Sequence, residues 1–174
     1  MKITIRPAHV SDAKAICSLV NYYAERGRML HRSLESAYLG LRDFLVAVDE
    51  SGAVVGCVAV GIFWSDLAEV KSLAVAGSQQ GKGIGAKLVK AAIASARKLG
   101  IKKLFALTLE KDFFQRHNFD TIDRECLPEK VWRECIYCPK VDACDEIAMM
   151  LSLTGPAKAT RSARPAGKHA PRKA

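Results

Sequence analysis

"AEVKSLAVAGSQQGKGIGAKL", residues 68–88, passes from an alternating, strand-like pattern into glycines at 81, 83 and 85 and then into an alanine-rich helical run. Bare backbone at a helix entrance serves an unusual φ angle or a close approach to the main chain. The first amides of a helix are unpaired and point outward, with the positive end of the dipole behind them. Such a turn holds an anion, most often a phosphate. The plain alternative is a flexible turn with a glycine at the helix start.

The segments around this stretch set the fold class. "KITIRPA" (2–8) alternates and stops at Pro7, which suits a strand. Ser11 and Asp12 are candidate caps for a helix over "AKAICSLVNYYAERG", ending at Gly27. "LHRSLESAYLGL" places Leu30, Leu34 and Leu41 at helical spacing, a second helix. "FLVAV" and "VVGCVAVGIF" flank "DESGA", a hairpin signal with Gly52 in the loop. In "AEVKSLAV" the alternation predicts Glu69, Lys71 and Leu73 on one face and Val70, Ser72 and Ala74 on the other. The glycine turn leads to a helix from about Ile84 to Leu99, closed by Gly100. "KKLFALTL" reads as a strand, "KDFFQRHN" as a short helix and "IAMMLSL" as a last strand. The order β-α-α-β-β-β-α-β-α, an irregular segment and β implies an α/β domain: a mixed, mostly antiparallel sheet flanked by helices.

The 174 residues suffice for one domain with a substantial core, and 49% hydrophobic with 26% charged residues is ordinary for a globular chain. The net charge of +9 is unevenly spread. Residues 155–174 hold Lys158, Arg161, Arg164, Lys168, Arg172 and Lys173 without one acid, which leaves +3 on residues 1–154. That tail lacks Leu, Ile, Val and aromatics, so it is expected to be disordered. Its charge suits weak contact with nucleic acid or other polyanions, a passive solubilising role being the alternative. The expected division is a domain over 1–154, with a cysteine-rich insertion at 126–144, followed by the tail. "MKITIRPAHVSDAKAI" has no apolar core of signal type and no later segment reaches spanning length, so a cytoplasmic protein without a membrane partner is expected. In that compartment six cysteines suit thiols or metal ligands better than disulfides.

Three phosphate-binding patterns compete for the turn. A P-loop needs a hydroxyl residue after its lysine, and Lys82 is followed by Gly83, with the spacing from Gly77 one residue short. A dinucleotide fingerprint is met loosely by Gly81, Gly83 and Ala86, but the acid expected roughly twenty residues on is replaced by "IKKL". The third pattern, Q/R-x-x-G-x-G/A, is met by Gln80, Gly83 and Gly85. With "VKSLAV" ahead of it, it resembles the acetyl-CoA loop of the GNAT superfamily of N-acetyltransferases.

More narrowly, "GRMLHRSLESAYLGLRDFLVAVDESGAVVGCVAV", "SDLAEVKSLAV" and "FFQRHNF" resemble the acetyltransferase domain of N-acetylglutamate synthases. The similarity covers roughly residues 3–128, and less closely 147–153. It implies transfer of the acetyl group of acetyl-CoA to the α-amine of a free amino acid, L-glutamate first and glutamine or another acidic amine second, as in arginine biosynthesis. Many such synthases carry an amino-acid-kinase domain that binds arginine, so a short, stand-alone form without that control is expected. The resemblance implies that Gln80, Gly81, Lys82, Gly83, Ile84, Gly85 and Ala86 hold the CoA pyrophosphate. It implies likewise that Leu73, Ala74 and Val75 pair with the pantetheine arm.

An ammonium group must lose a proton before it attacks a thioester, and a carboxylate acting through water serves as base. Glu69 lies on the strand that, by resemblance, flanks the acyl group; a solvated partner for Lys71 is its alternative. A dicarboxylate acceptor needs cations. Arg32, in a stretch resembling the family's Arg-Ser pair, Lys71 and the neighbouring Ser72 are the candidate acceptor residues. Many superfamily members place a tyrosine where this chain has Phe114, so no general acid is named; thiols titrate near about 8.5, low enough for a thiolate to depart unaided.

"CLPEKVWRECIYCPKVDAC" contains Cys126, Cys135, Cys138 and Cys144, candidate ligands for one structural zinc, with His117 as a substitute ligand. Reduced thiols are the alternative, and a redox pair at Cys135 and Cys138 a lesser one. Two rival functions stand beside the free-amino-acid acetyltransferase: acetylation of a protein N-terminus or lysine, and a non-catalytic GNAT-like shell binding nucleic acid. The expected partner is a small-molecule amino-acid acceptor, with a homodimer as an open alternative to a monomer.

Overall fold

The computed structural model describes residues 2–128, 138, 140 and 143–154. Among them the order is β1 (Thr4–Pro7), α1 (Ala13–Ala24), α2 (Leu34–Leu39), β2 (Phe44–Val48), β3 (Val54–Ile62) and β4 (Leu67–Val75). Then come α3 (Ile84–Lys98), β5 (Lys103–Thr108), α4 (Lys111–Gln115), β6 (Asp120–Thr121) and β7 (Ile147–Ser152). The seven strands form one sheet in the order β1-β2-β3-β4-β5-β7-β6. All neighbours are antiparallel except β4 and β5, which run parallel with α3 as their crossover. This is the expected mixed, mostly antiparallel sheet with flanking helices.

Helical periodicity decides which faces are covered. α1 buries Ala13, Ile16, Val20 and Ala24, spaced three and four apart, and the first three cluster with Phe44, Val46, Cys57 and Ala59. α3 buries Ile84, Leu88, Val89, Ala92 and Ala96 on the opposite face, against Val58, Val60, Ala68 and Val70. Gly56 lets α3 approach that closely, since a Cβ there would lie 3.0 Å from Leu88 Cδ1 and 3.2 Å from the Ala74 carbonyl oxygen. A third cluster under the far end of the sheet joins Leu67, Phe105, Leu127 and Ala148. None of the helices among the described residues is long and apolar enough to cross a membrane.

Several expectations change in detail. The helix expected over residues 30–41 is confined to Leu34–Leu39, capped by the Ser33 hydroxyl, and Leu30 lies outside it. α1 ends at Ala24, with Gly27 at φ 67° closing the turn beyond it. Neither Ser11 nor Asp12 caps α1 through its side chain. The buried Asp12 carboxylate turns back to the His9 N–H at 2.7 Å and to the Arg6 guanidinium at 2.6 Å. β6 was not expected, because two residues carry no periodicity to read. The tail 155–174 lies outside the described residues.

Candidate functional site

The arrangement of β4 organises the site. Ala59 pairs with Lys71 and Cys57 with Ala74, so two β4 residues, Ser72 and Leu73, oppose Val58 alone. This is a β-bulge, with Ser72 at φ 52°. It overturns the expected alternation. Glu69 and Lys71 share the α1 side with Ser72 and Ala74, whereas Leu73 and Val75 turn under α3 beside Val70. An alternation rule assumes one residue per pleat, and an inserted residue reverses every face beyond it.

The second feature lies at the other edge of β4. Its parallel pairing with β5 spans Leu67–Lys103, Ala68–Leu104 and Glu69–Phe105 and ends there. Among the described residues that edge has no strand partner from Val70 to Val75, so its N–H and C=O groups are placed to bind an extended ligand. Glu69 marks the closed end, 8% exposed. Lys71 Nζ stands 4.0 Å from its carboxylate and 5.7 Å from the centre of the Phe63 ring. Gly61, cross-strand from Glu69, leaves room for the Lys71 stem: a Cβ there would meet Lys71 Cε at 3.1 Å.

Arg32 reaches the same face from the loop before α2. Asn21 on α1 pins its backbone from both sides, accepting from the Arg32 N–H at 2.8 Å and donating to the Arg32 carbonyl at 2.9 Å. The Cys17 thiol donates to that carbonyl at 3.1 Å. The guanidinium lies 5.2 Å from the Phe44 ring centre and donates to Ser72 Oγ at 3.2 Å and to the Ser36 carbonyl at 3.4 Å. Its buried Nε has no hydrogen-bond partner among the described residues. The structure thus brings Arg32 onto Ser72 and sets both on the face of Lys71 and Glu69, whereas the alternation predicted Ser72 on the opposite face. Asp43, which the sequence reading missed, joins them. Its carboxyl is held above the usual carboxylate range because desolvation outweighs the pull of Lys71 and Arg32. Nearby Cys57 is fully buried, and burial pushes its thiol up to about 12, so it supplies no thiolate at neutral pH.

The glycine turn lies at the other end of β4. Gly81 and Gly83 have φ of 74° and 75°, in the left-handed region that β-carbon sterics discourage. Gly83 is the helix N-cap, with no side chain satisfying the amides behind it. The first bond of α3 runs from the Lys87 N–H to the Gly83 carbonyl at 3.1 Å. The Ile84, Gly85 and Ala86 amides consequently lack intrahelical acceptors. Among the described residues nothing beyond the chain neighbours lies within 4 Å of where a Cβ on Gly81 or Gly83 would stand. Gly85 instead faces Phe113, whose Cζ would lie 3.5 Å from a Cβ. Lys82 folds back onto the Ser78 carbonyl and Gln79 Oε1, both at 3.0 Å. Gln80 Nε2 donates to the Tyr23 hydroxyl at 2.7 Å, a partner with no local sequence signal.

Phe114 is buried among Phe113 and Phe119. His117 stacks edge-on against Phe113, and burial holds its imidazole below the usual range, helped by Lys90 and Arg116. Of the four cysteines expected to share a metal, Cys135 lies outside the described residues. Cys126, Cys138 and Cys144 are free thiols. No group of three His, Cys, Asp or Glu side chains able to hold a metal occurs among the described residues.

Comparison with known proteins points one way. The model of the acetyltransferase (GNAT) family matches residues 17–119. An uncharacterized N-acetyltransferase of Chlorobaculum tepidum is 44% identical over 149 residues, which are 86% of this chain and 96% of that one. An amino-acid acetyltransferase of Mycobacterium tuberculosis is 38% identical over 132 residues, 75% of each chain. Among solved structures, the N-acetylglutamate synthase of Neisseria gonorrhoeae, complexed with coenzyme A and N-acetyl-glutamate, aligns with a TM-score of 0.79 at 29% identity. The alignment covers 88% of this chain and 35% of the synthase.

Proposed function

The chain belongs to the acetyltransferase (GNAT) family, and from that premise we propose that it acetylates the α-amine of a free amino acid, L-glutamate first, with acetyl-CoA as donor. In this reading it serves arginine biosynthesis. The observation that carries the proposal is the arrest of β4–β5 pairing at Glu69, which leaves an open strand edge between a buried carboxylate and the glycine turn.

The turn fits the donor. Gly81 and Gly83 stand open where a pyrophosphate would approach, and the α3 amides behind them are without intrahelical partners. The backbone across Gln80–Ala86 is assigned to the pyrophosphate. Lys82 adds positive charge beside it. The backbone edge of Leu73, Ala74 and Val75 is assigned to the pantetheine amides, since the Leu73 and Val75 side chains are committed to the core.

At the closed end, Glu69 accepts the ammonium proton of the acceptor through one water. The freed amine attacks the thioester carbonyl; the C–N bond forms, the C–S bond breaks, CoA departs as its thiolate, and the second nitrogen proton passes to solvent as the amide forms. Backbone N–H groups of β4 steady the negative charge gathering on the carbonyl oxygen. Arg32, with its unpartnered Nε, Lys71 and Ser72 hold the acceptor carboxylates. Two cations on one face suit a dicarboxylate.

The test is acetyl-CoA-dependent thiol release with a panel of amino acids, scored by product mass. The expected product is N-acetylglutamate. Thiol release with a peptide amine, and none with any free amino acid, would sink the assignment.

A further inference from the structure

One hydroxyl of α1 bonds both ends of the bend that leads into the glycine turn. The Tyr23 hydroxyl, on α1, donates to the carbonyl of Val75, the last residue of β4. It also accepts from Gln80 Nε2 at 2.7 Å. Val75 and Gln80 bound the bend that carries the chain from strand to turn. Within that bend the bonds are short-range: Gln79 N–H to the Ala76 carbonyl at 2.8 Å and Gln80 N–H to the Gly77 carbonyl at 3.3 Å. The Ala76 N–H reaches the Val55 carbonyl at 2.9 Å and ties the bend to the sheet. The Tyr23 hydroxyl thus closes the bend at both ends from the α1 side.

We infer that Tyr23 is a positioning residue for the donor site, setting the Val75–Gln80 bend so that the amides beyond it are aimed before acetyl-CoA arrives; the inference rests on the acetyl-CoA reading given above. Three observations support it. A tyrosine hydroxyl has one proton to donate and lone pairs to accept, and both capacities are used here. The Tyr23 ring is half-buried, braced edge-on by Tyr22 with centroids 5.1 Å apart, so the hydroxyl is presented from a fixed body. Burial holds the phenol above its usual range, keeping the donated proton in place at neutral pH. The glycines that follow have no side chains to order the turn, and a loop ordered only on binding spends affinity on its own immobilisation. Val75 links the two regions directly: its Cγ2 lies 3.9 Å from where a Gly85 Cβ would stand, at the first turn of α3.

The test combines calorimetric CoA binding with steady-state kinetics on the full chain and its Tyr23→Phe, Gln80→Ala and doubly substituted forms. Tyr22→Phe is the control. Tyr23→Phe removes both hydrogen bonds at once and is expected to weaken CoA binding by about tenfold. The KM for acetyl-CoA should rise by the same factor, with kcat at saturation within about twofold and the melting temperature nearly unchanged. Gln80→Ala should cost little more in the Tyr23→Phe background, because the two act through one link. Tyr22→Phe should change nothing.

If the unaltered chain binds CoA and Tyr23→Phe binds it equally well, the inference fails while the proposed function stands. If the two single losses simply add, Gln80 does not act through Tyr23, and the inference fails. A melting temperature lowered by 10 °C or more by Tyr23→Phe would make the hydroxyl a folding contact and overturn it. A chain that binds no CoA at all overturns both readings.

Discussion

Replacing Glu69 with glutamine tests the mechanism most directly. Glu69 is 8% exposed, and glutamine keeps its volume while losing the ability to take a proton. Losing a positioned base typically costs 10²–10⁴ in rate, so kcat should fall by about a hundredfold, or ~2.7 kcal/mol of barrier. Donor binding should hardly notice. Strand rise of about 3.3 Å per residue puts Val75 about 20 Å from Glu69, and the Debye length is about 10 Å at 0.1 M salt. CoA affinity is therefore expected within twofold of the original. The Lys71 ammonium, 4.0 Å away, loses its opposite charge. That attraction is about 4 kcal/mol gross at an effective dielectric of 20, most of it returned by solvation of two partly accessible groups. A net loss of about 1 kcal/mol would lower the melting temperature by roughly 3 °C in a chain of this size. The assay is thiol release from acetyl-CoA with saturating glutamate between pH 6 and 9.5. The residual rate should climb with pH as free amine appears, whereas the unaltered chain should level off earlier. Near-normal turnover of Glu69→Gln at neutral pH would refute the reasoning and return Glu69 to the role of a partner for Lys71.

Gly83→Val places a β-branched residue at φ 75°; the left-handed conformation costs about 1–2 kcal/mol, and calorimetry should find CoA binding weakened roughly tenfold or more. Arg32→Lys keeps the charge but not the planar fork that reaches both Ser72 Oγ and the Ser36 carbonyl, so acceptor KM should rise about tenfold with donor affinity unchanged. His117 has a folded pKa below its unfolded value of about 6.5, so the folded state binds fewer protons. Its contribution to stability is full above about pH 6.5 and is lost as pH falls through the folded pKa. Melting temperatures from pH 7.5 to 5 should show that decline, and His117→Gln should flatten it. Truncation after Thr154 is expected to leave kcat/KM for small substrates within a few-fold while weakening salt-sensitive retention on a polyanion column. A tenfold loss of activity would show that residues 155–174 act at the site.

Features written in adjacent residues were legible without coordinates. The continuous apolar runs of "FLVAV" and "VVGCVAV", the spacing of Ile16, Val20 and Ala24, and the left-handed glycines before α3 are local features of the chain. Hence the mixed sheet and the helix behind the glycine turn could be anticipated, while Arg32 was reached only through the family resemblance. The faces of β4 could not. Whether Ser72 is an extra residue depends on what β3 offers opposite it, and the partner that decides this is Val58. Nor does any pattern near Tyr23 announce Gln80, or any near Asp43 announce Arg32 and Lys71. These meetings follow from the packing of whole helices against the sheet. The apolar stripes specify that packing as faces and not as atom pairs, so the hydrogen bonds and charges at their margins are fixed only when the elements dock.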